Sequence, residues 1–260
     1  MQRIEPAFFQ RCKPKKLTQN AVLVCTWTAF AFQRNPAYTI LRRISYSVGY
    51  AQNGLKNGAT MVAPQFLNIG SEGAMPLVSL TPTGSDLSDN VAVQTLDAAG
   101  YTVDNYMWVD WMGDDPCWID GDFNVVDDTV TFAPGQGLWV YGSDSSQGFQ
   151  SAGKVGTSDV VVTLRNGATG AGNPFPVALA LNDILPAGSD LSDNVAVQTL
   201  DAAGYTVDNY MWVDWMGDDP CWIDGDFNIV DDTVTFEPGQ GLWVYGTSSD
   251  QSIRFPAPTL

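Results

Sequence analysis

The residues of this chain best equipped for chemistry are aspartates and tryptophans, and they stand in two near-identical settings. The run Asp120-Gly121-Asp122-Phe123-Asn124, followed by Asp127 and Asp128, places side-chain oxygens at alternate positions, as the opening half of a calcium loop does. Calcium takes roughly six to eight oxygen ligands. An EF-hand also demands Gly at its sixth position and Glu at its twelfth, where Val125 and Thr131 stand, so that motif is excluded. Two readings stay open. One is an irregular calcium site using Asp114, Asp115, Asp120, Asp122 and Asn124, with Asp218, Asp219, Asp224, Asp226 and Asn228 as the matching set. The other is a solvated acidic loop that keeps the surface soluble and discourages edge-to-edge strand association.

The tryptophans offer a second chemistry. Trp108, Trp111, Trp118 and Trp139 are matched by Trp212, Trp215, Trp222 and Trp243. Exposed indoles flanked by carboxylates, as in Trp108-Val109-Asp110-Trp111, stack on sugar rings while the acid accepts hydroxyl hydrogen bonds. A glycan surface would then use Trp108, Asp110, Trp111 and Trp118, and again Trp212, Asp214, Trp215 and Trp222. The competing reading makes the aromatics a core that bridges small β-sheets.

Catalysis is hard to assemble. The chain has no histidine, which removes the usual base for a nucleophile and the commonest metal ligand. Asp114 or Asp115 with Asp120 would form a carboxylate pair of the glycosidase kind at separations of about 5 to 9.5 Å. Turns and surface charge account for the same acids, so the expectation is a protein without catalytic activity. The Gly-Gln-Gly of each copy lacks the helix and lysine of a phosphate loop. No C-x-x-C pair supports a zinc site. Cys117 and Cys221, at equivalent positions, are expected either to bridge the copies or to stay as small buried thiols.

All of these residues belong to a duplication. Residues 84 to 142 recur at 188 to 246 with a constant offset of 104, and only two of the 59 positions differ, Val125 against Ile229 and Ala133 against Glu237. Upstream, NGAT at 57 to 60 answers NGAT at 166 to 169 with an offset of 109. The first copy thus holds about five extra residues around Leu67 to Ala74, which read as a longer loop. A period near 100 is domain-sized, unlike solenoid repeats of about 20 to 50 residues. Two domains, 44 to 156 and 157 to 260, follow a leader at 1 to 43.

Charge separates the leader from the repeats. Eight of the 12 bases lie in the first 43 positions, where Glu5 is the only acid, and from Ile44 onward 28 acids face four bases. A surplus near 24 negative charges repels phosphate backbones and anionic lipids, so no nucleic acid partner is expected. In the leader, the basic stretch Arg11 to Lys16 precedes an apolar run from Ala21 to Phe32 containing Ala29-Phe30-Ala31, the grammar of a secretory signal peptide. The alternative is a disordered leader or an over-extended translation start. The apolar run is too short for a membrane-spanning segment, which needs roughly 20 residues.

Within the repeats the pattern is that of strands. Ile44 to Tyr50 and Val160 to Leu164 are rich in β-branched residues, and Tyr106, Trp108 and Asp110 alternate with Met107, Val109 and Trp111. Alternation places Trp108 and Trp111 on opposite faces of one strand. Thr129 to Phe132 and Leu138 to Tyr141 are expected to pair across Ala133-Pro134-Gly135-Gln136-Gly137 as a hairpin. Short helices are expected near Ala178 to Leu185 and Pro76 to Leu80. The fold class is all-β, two tandem small β-sandwich or barrel domains.

The second copy reads GAGNPFPVALALNDIL at 170 to 185 and PGQGLWV at 238 to 244. An N-P-F-P segment followed some sixty residues later by P-G-x-G-x-W-V resembles a β-rich module of bacterial cell-surface and secreted multidomain proteins. The resemblance spans residues 44 to 260, although the first copy has APQF at 63 to 66 in place of NPFP. It implies a secreted or cell-surface location and an architecture, and it carries over no catalytic residue. The sequence therefore points to a structural or adhesion module whose partner is a surface protein, with a carbohydrate-binding module as the alternative.

Overall fold

A computed structural model describes residues 22–35, 38–69, 73–97, 101–112, 115–201, 203, 205–216 and 219–258, with side chains from residue 48 onward. Residues 1–21 of the expected leader lie outside this set. The backbone of the remainder of that segment forms the strand β1 (Val22–Asn35) and the start of β2 (Tyr38–Gly54), paired antiparallel from Val22↔Ala51 to Asn35↔Tyr38.

The first repeat continues through β3 (Gly58–Val62), β4 (Met75–Pro76), β5 (Thr81–Thr83), β6 (Ala92–Leu96), β7 (Thr102–Val109), β8 (Cys117–Ile119), β9 (Thr131–Phe132), β10 (Leu138–Gly142) and β11 (Gly148–Lys154). The second contains β12 (Val160–Thr163), β13 (Gly167–Gly172), β14 (Leu179–Ala180), β15 (Leu185–Ala187), β16 (Ala196–Leu200), β17 (Thr206–Val213), β18 (Cys221–Ile223), β19 (Thr235–Phe236), β20 (Gly241–Gly246) and β21 (Ser252–Phe255). The fold is all-β, in two similar sets. Each has a five-stranded antiparallel sheet, β3-β10-β6-β7-β8 or β13-β20-β16-β17-β18. A smaller sheet, β1-β2-β11-β5 or β12-β21-β15, supplies the second layer, and a two-strand ribbon, β4-β9 or β14-β19, completes the set.

Apolar residues from both layers meet in one core per repeat. In the first, Val93, Leu138 and Val140 of the large sheet pack with Ala51 and Phe149 of the small one around Trp118 and Phe132. Val197, Leu242, Val244, Ile253, Trp222 and Phe236 do the same in the second. The expected short helices shrink to single 3-10 turns, Leu77–Ser79 and Leu181–Asp183. Each follows a ribbon strand and drops one leucine, Leu77 or Leu181, fully into the core.

The expected hairpin around Pro134 does not form. β9 pairs with β4, and β10 pairs with β3 and β6. Pro134 and Gly135, with φ of 77° at the glycine, make a tight turn closed by the Gln136 amide donating to Ala133 O at 3.1 Å. The Gln136 Oε1 accepts the Ala133 amide in return. Glu237 and Gln240 repeat both bonds around Gly239. This turn reaches across to the other repeat instead of folding back on its own strand.

There the two repeats join through reciprocal contacts, the mark of a twofold relation. Gln136 bridges to Ala171, and Gln240 bridges to the equivalent Val62. The Gly172 amide donates to Gly135 O at 3.1 Å, and the equivalent Ala63 amide donates to Gly239 O at 2.9 Å. Trp139 and its twin Trp243 meet edge to face on the axis, their centroids 6.4 Å apart, with Ala59, Met61 and Ala168 around them. A Cβ on Gly137 would lie 2.6 Å from backbone atoms of Gly170 and Ala171, and one on Gly241 would lie 2.5 Å from the Met61 carbonyl carbon. Close backbone approach is what the Gly-Gln-Gly spacing serves. The N-P-F-P segment anchors the turn of its own repeat: buried Asn173 donates from Nδ2 to Val177 O and Phe236 O, while its backbone bonds Gln240 and Gly239.

Gly137→Ala and Gly241→Ala are therefore each expected to cost about 1 to 3 kcal/mol in denaturant unfolding, since backbone has to yield. Gly121→Ala, with nothing within 4 Å of the added carbon, is expected to stay within about 0.5 kcal/mol of the parent.

Candidate functional site

The tryptophans divide into three roles. Trp118 and Trp222 are 2 % and 0 % exposed, and their Nε1 groups donate to Leu80 O at 2.8 Å and Ile184 O at 2.9 Å. They are core residues, which corrects their expected place on a glycan surface: a β8 or β18 side chain at that position points between the layers. Trp108 and Trp212 are half-buried and pack edge to face on them, at 5.3 and 5.2 Å. Trp139 and Trp243 hold the repeat junction. Trp111 and Trp215 remain, each 50 % exposed. They follow the strand instead of lying on its opposite face, because β7 and β17 end at Val109 and Val213.

Asp89 fixes Trp111. It sits at φ 61°, a left-handed conformation that Asp tolerates, with its amide bonded to Trp108 O. Its carboxylate accepts the Trp111 Nε1–H at 3.1 and 3.3 Å. Asp193 holds Trp215 at 3.1 and 3.2 Å. One residue earlier, Ser88 Oγ accepts the amide of exposed Asp110, and Ser192 accepts that of Asp214. The loop that carries Asp89 is itself tied down by Gln147, 1 % exposed, whose Nε2 donates to Ser85 O and Asp86 O and whose Oε1 accepts the Ser143 amide. Gln251 makes the same bonds in the second repeat. Nothing in the sequence marks Asp89 or Gln147; their roles depend on a loop brought together from distant positions.

Facing Trp111 is Phe123, with centroids 6.4 Å apart and planes tilted by 46°. Trp215 and Phe227 stand at 6.5 Å and 43°. Phe123 is 59 % exposed and has φ 64°, as has Phe227, a backbone state costly for a bulky side chain. The loop beneath imposes it. Asp120 Oδ1 accepts the amides of Asp122 at 2.9 Å and Asn124 at 2.8 Å, and Asp120 also exchanges backbone bonds with Phe123 and Asn124. Exposed Val125 and Ile229 flank the two phenyl rings in sequence. The sequence reading names Trp111 and the aspartates of this loop but gives Phe123 no role, because its exposure depends on the turn beneath it.

The aspartates expected as calcium ligands are engaged within the same loop. Asp120 and Asp224 have their oxygens turned onto N–H donors, including the side-chain amides of Asn124 and Asn228, which therefore present hydrogen, not oxygen, to the carboxylate. Among the described residues no three acidic, Cys or His side chains gather as a metal site. Asp114 and Asp218 lie outside the described residues. Cys117 and Cys221 are unbridged, half-buried thiols. No helix among the described residues is long and apolar enough to cross a membrane.

Electrostatically the site is one-sided. Between residues 84 and 142 there are 11 aspartates and no Lys, Arg or Glu; 188 to 246 holds 11 aspartates, Glu237 and again no base. The Asn124 backbone amide first, then its side chain, holds the Asp120 carboxyl below its ordinary value, and Asn228 does so for Asp224. The Thr129 hydroxyl and amide lower Asp127, and Thr233 lowers Asp231. Beside each platform a shallow cleft runs between β7 or β17 and the acidic loop, where burial, then Asp104 and Asp120, push the Tyr106 phenol up; Tyr210 is raised likewise.

Trp118→Ala is expected to cost about 3 to 5 kcal/mol in stability, whereas Trp111→Ala costs under about 1 kcal/mol, as read from paired denaturation curves. The aspartates define a pH window. Carboxyls lowered on folding stabilise the protein above their unfolded value, near 3.8, and that stabilisation is lost as pH falls through the folded values. Thermal midpoints should hold down to about pH 4 and fall below it. Asn at 120, 127, 224 and 231 together should flatten that acid limb. Compared with known proteins, the chain matches no family model, no curated sequence and no solved structure.

Proposed function

We propose that the chain is a non-catalytic, secreted or cell-surface adhesion module of the β-rich type its motifs resemble, with the two Trp–Phe platforms as its contact surfaces. One observation carries this reading. Phe123 and Phe227 are large, exposed and held at positive φ, where Asn or Gly would be cheaper to the fold, and each faces an indole that a carboxylate pins in place. Stability gives no reason for such a pair; contact with a partner does. Asp120 and Asp224 cap turns and are held below their ordinary value, the opposite of what a general acid needs. The junction between repeats makes the two platforms a bivalent surface.

Carbohydrate binding is the second reading, favoured by the pinned indoles, because a fixed, half-exposed aromatic plane suits the apolar face of a pyranose ring. The test is retention of the full chain on a glycan array and on immobilised cell-surface protein. The comparison variants are Trp111→Ala with Phe123→Asn, and the same pair of changes made in both repeats. Loss of one platform is expected to weaken retention by ~10²-fold or more through lost avidity, and loss of both should abolish it. Retention unchanged in the folded double-platform variant would exclude these surfaces as the site of adhesion.

A further inference from the structure

We propose that the two platforms select a cationic glycan, an aminosugar chain whose free ammonium groups lie over the Trp–Phe pair while its pyranose rings stack on the indole. The inference rests on the platforms being the contact surfaces and adds the charge and class of what they hold. Its basis is charge complementarity at a built aromatic surface. The segment carrying each platform has no cationic residue of its own to occupy the aromatic faces or neutralise the acids around them. Asp89 touches the indole edge directly, and Asp122 precedes Phe123 on the exposed loop. Asp193 and Asp226 stand in the same places in the second repeat. A cation above an aromatic face gains from the ring quadrupole, and neighbouring carboxylates add to the attraction. Sulfated or uronic glycans meet the opposite condition and are repelled. A polymer bearing one ammonium per ring also offers a recurring ligand to two platforms on one body.

The probes are the glucosamine hexamer, its fully N-acetylated counterpart and an oligolysine of equal charge. Each is titrated into the full chain at mildly acidic pH and followed by tryptophan fluorescence and calorimetry. The glucosamine hexamer is expected to bind at least about tenfold more tightly than the acetylated one, with quenching that is lost in the Trp111→Ala, Trp215→Ala variant. That variant keeps every charge, and a thermal melt establishes that it remains folded. Equal binding of both hexamers, abolished by the variant, would overturn the charge preference while leaving the platforms as glycan contacts. Equal binding of oligolysine would overturn the sugar assignment. Glucosamine binding that survives in the variant would reduce the effect to general attraction by an acidic protein, and absence of binding by all three probes would also overturn the inference.

Discussion

The backbone exchange at the Pro-Gly-Gln-Gly turns is the constraint on which the assembly of the two repeats depends. The turn could have closed a hairpin within its own repeat. Its glycines instead allow Gln136 and Gln240 to bridge the opposite repeat's β13 and β3, with Gly135 O and Gly239 O accepting amides there. Amide groups at a buried junction must find partners, and those of Gly172 and Ala63 find them across the axis. Trp139 and Trp243 close over it. The two repeats thus pair as the halves of a homodimer do: the same self-complementary surface occurs twice, and each half satisfies the other.

The aspartates serve the repeats in a second way. Almost every loop of the large sheets is shaped by a carboxylate accepting backbone or side-chain hydrogens, Asp120 for Asn124, Asp127 for Thr129 and Asp97 for Tyr101. Asp suits this because its short side chain reaches amides two to four residues ahead. The strong negative charge of the molecule is in large part a consequence of how its loops are built. One such loop lifts Phe123 into solvent, and another, through Asp89, turns Trp111 toward it.

Much of this was legible in the sequence, and the limits have physical causes. The all-β class, the β-branched run at β12 and the strand β7 follow from alternation, because that signal is local. The partner of β10 was not legible: a Pro-Gly turn between two strands looks the same whether they pair with each other or with strands far along the chain. Trp118 and Trp111 are alike as residues and differ in burial, which depends on whether the chain has left the sheet by that point. The calcium-like spacing is ambiguous in sequence, because alternate oxygens also suit an Asx turn, the use to which Asp120 is put with Asn124 in the structure.

Function in this account follows from a fixed pair of platforms, and its central claim is that the repeats move as one body. The most direct test places spin labels on Cys117 and Cys221, equivalent thiols on the two large sheets, after Cys12 and Cys25 are changed to Ser. Dipolar spectroscopy of this protein should give one narrow distance distribution that broadens when Gly137 and Gly241 are both changed to Ala. A broad distribution in the parent, indifferent to those glycines, would contradict the account.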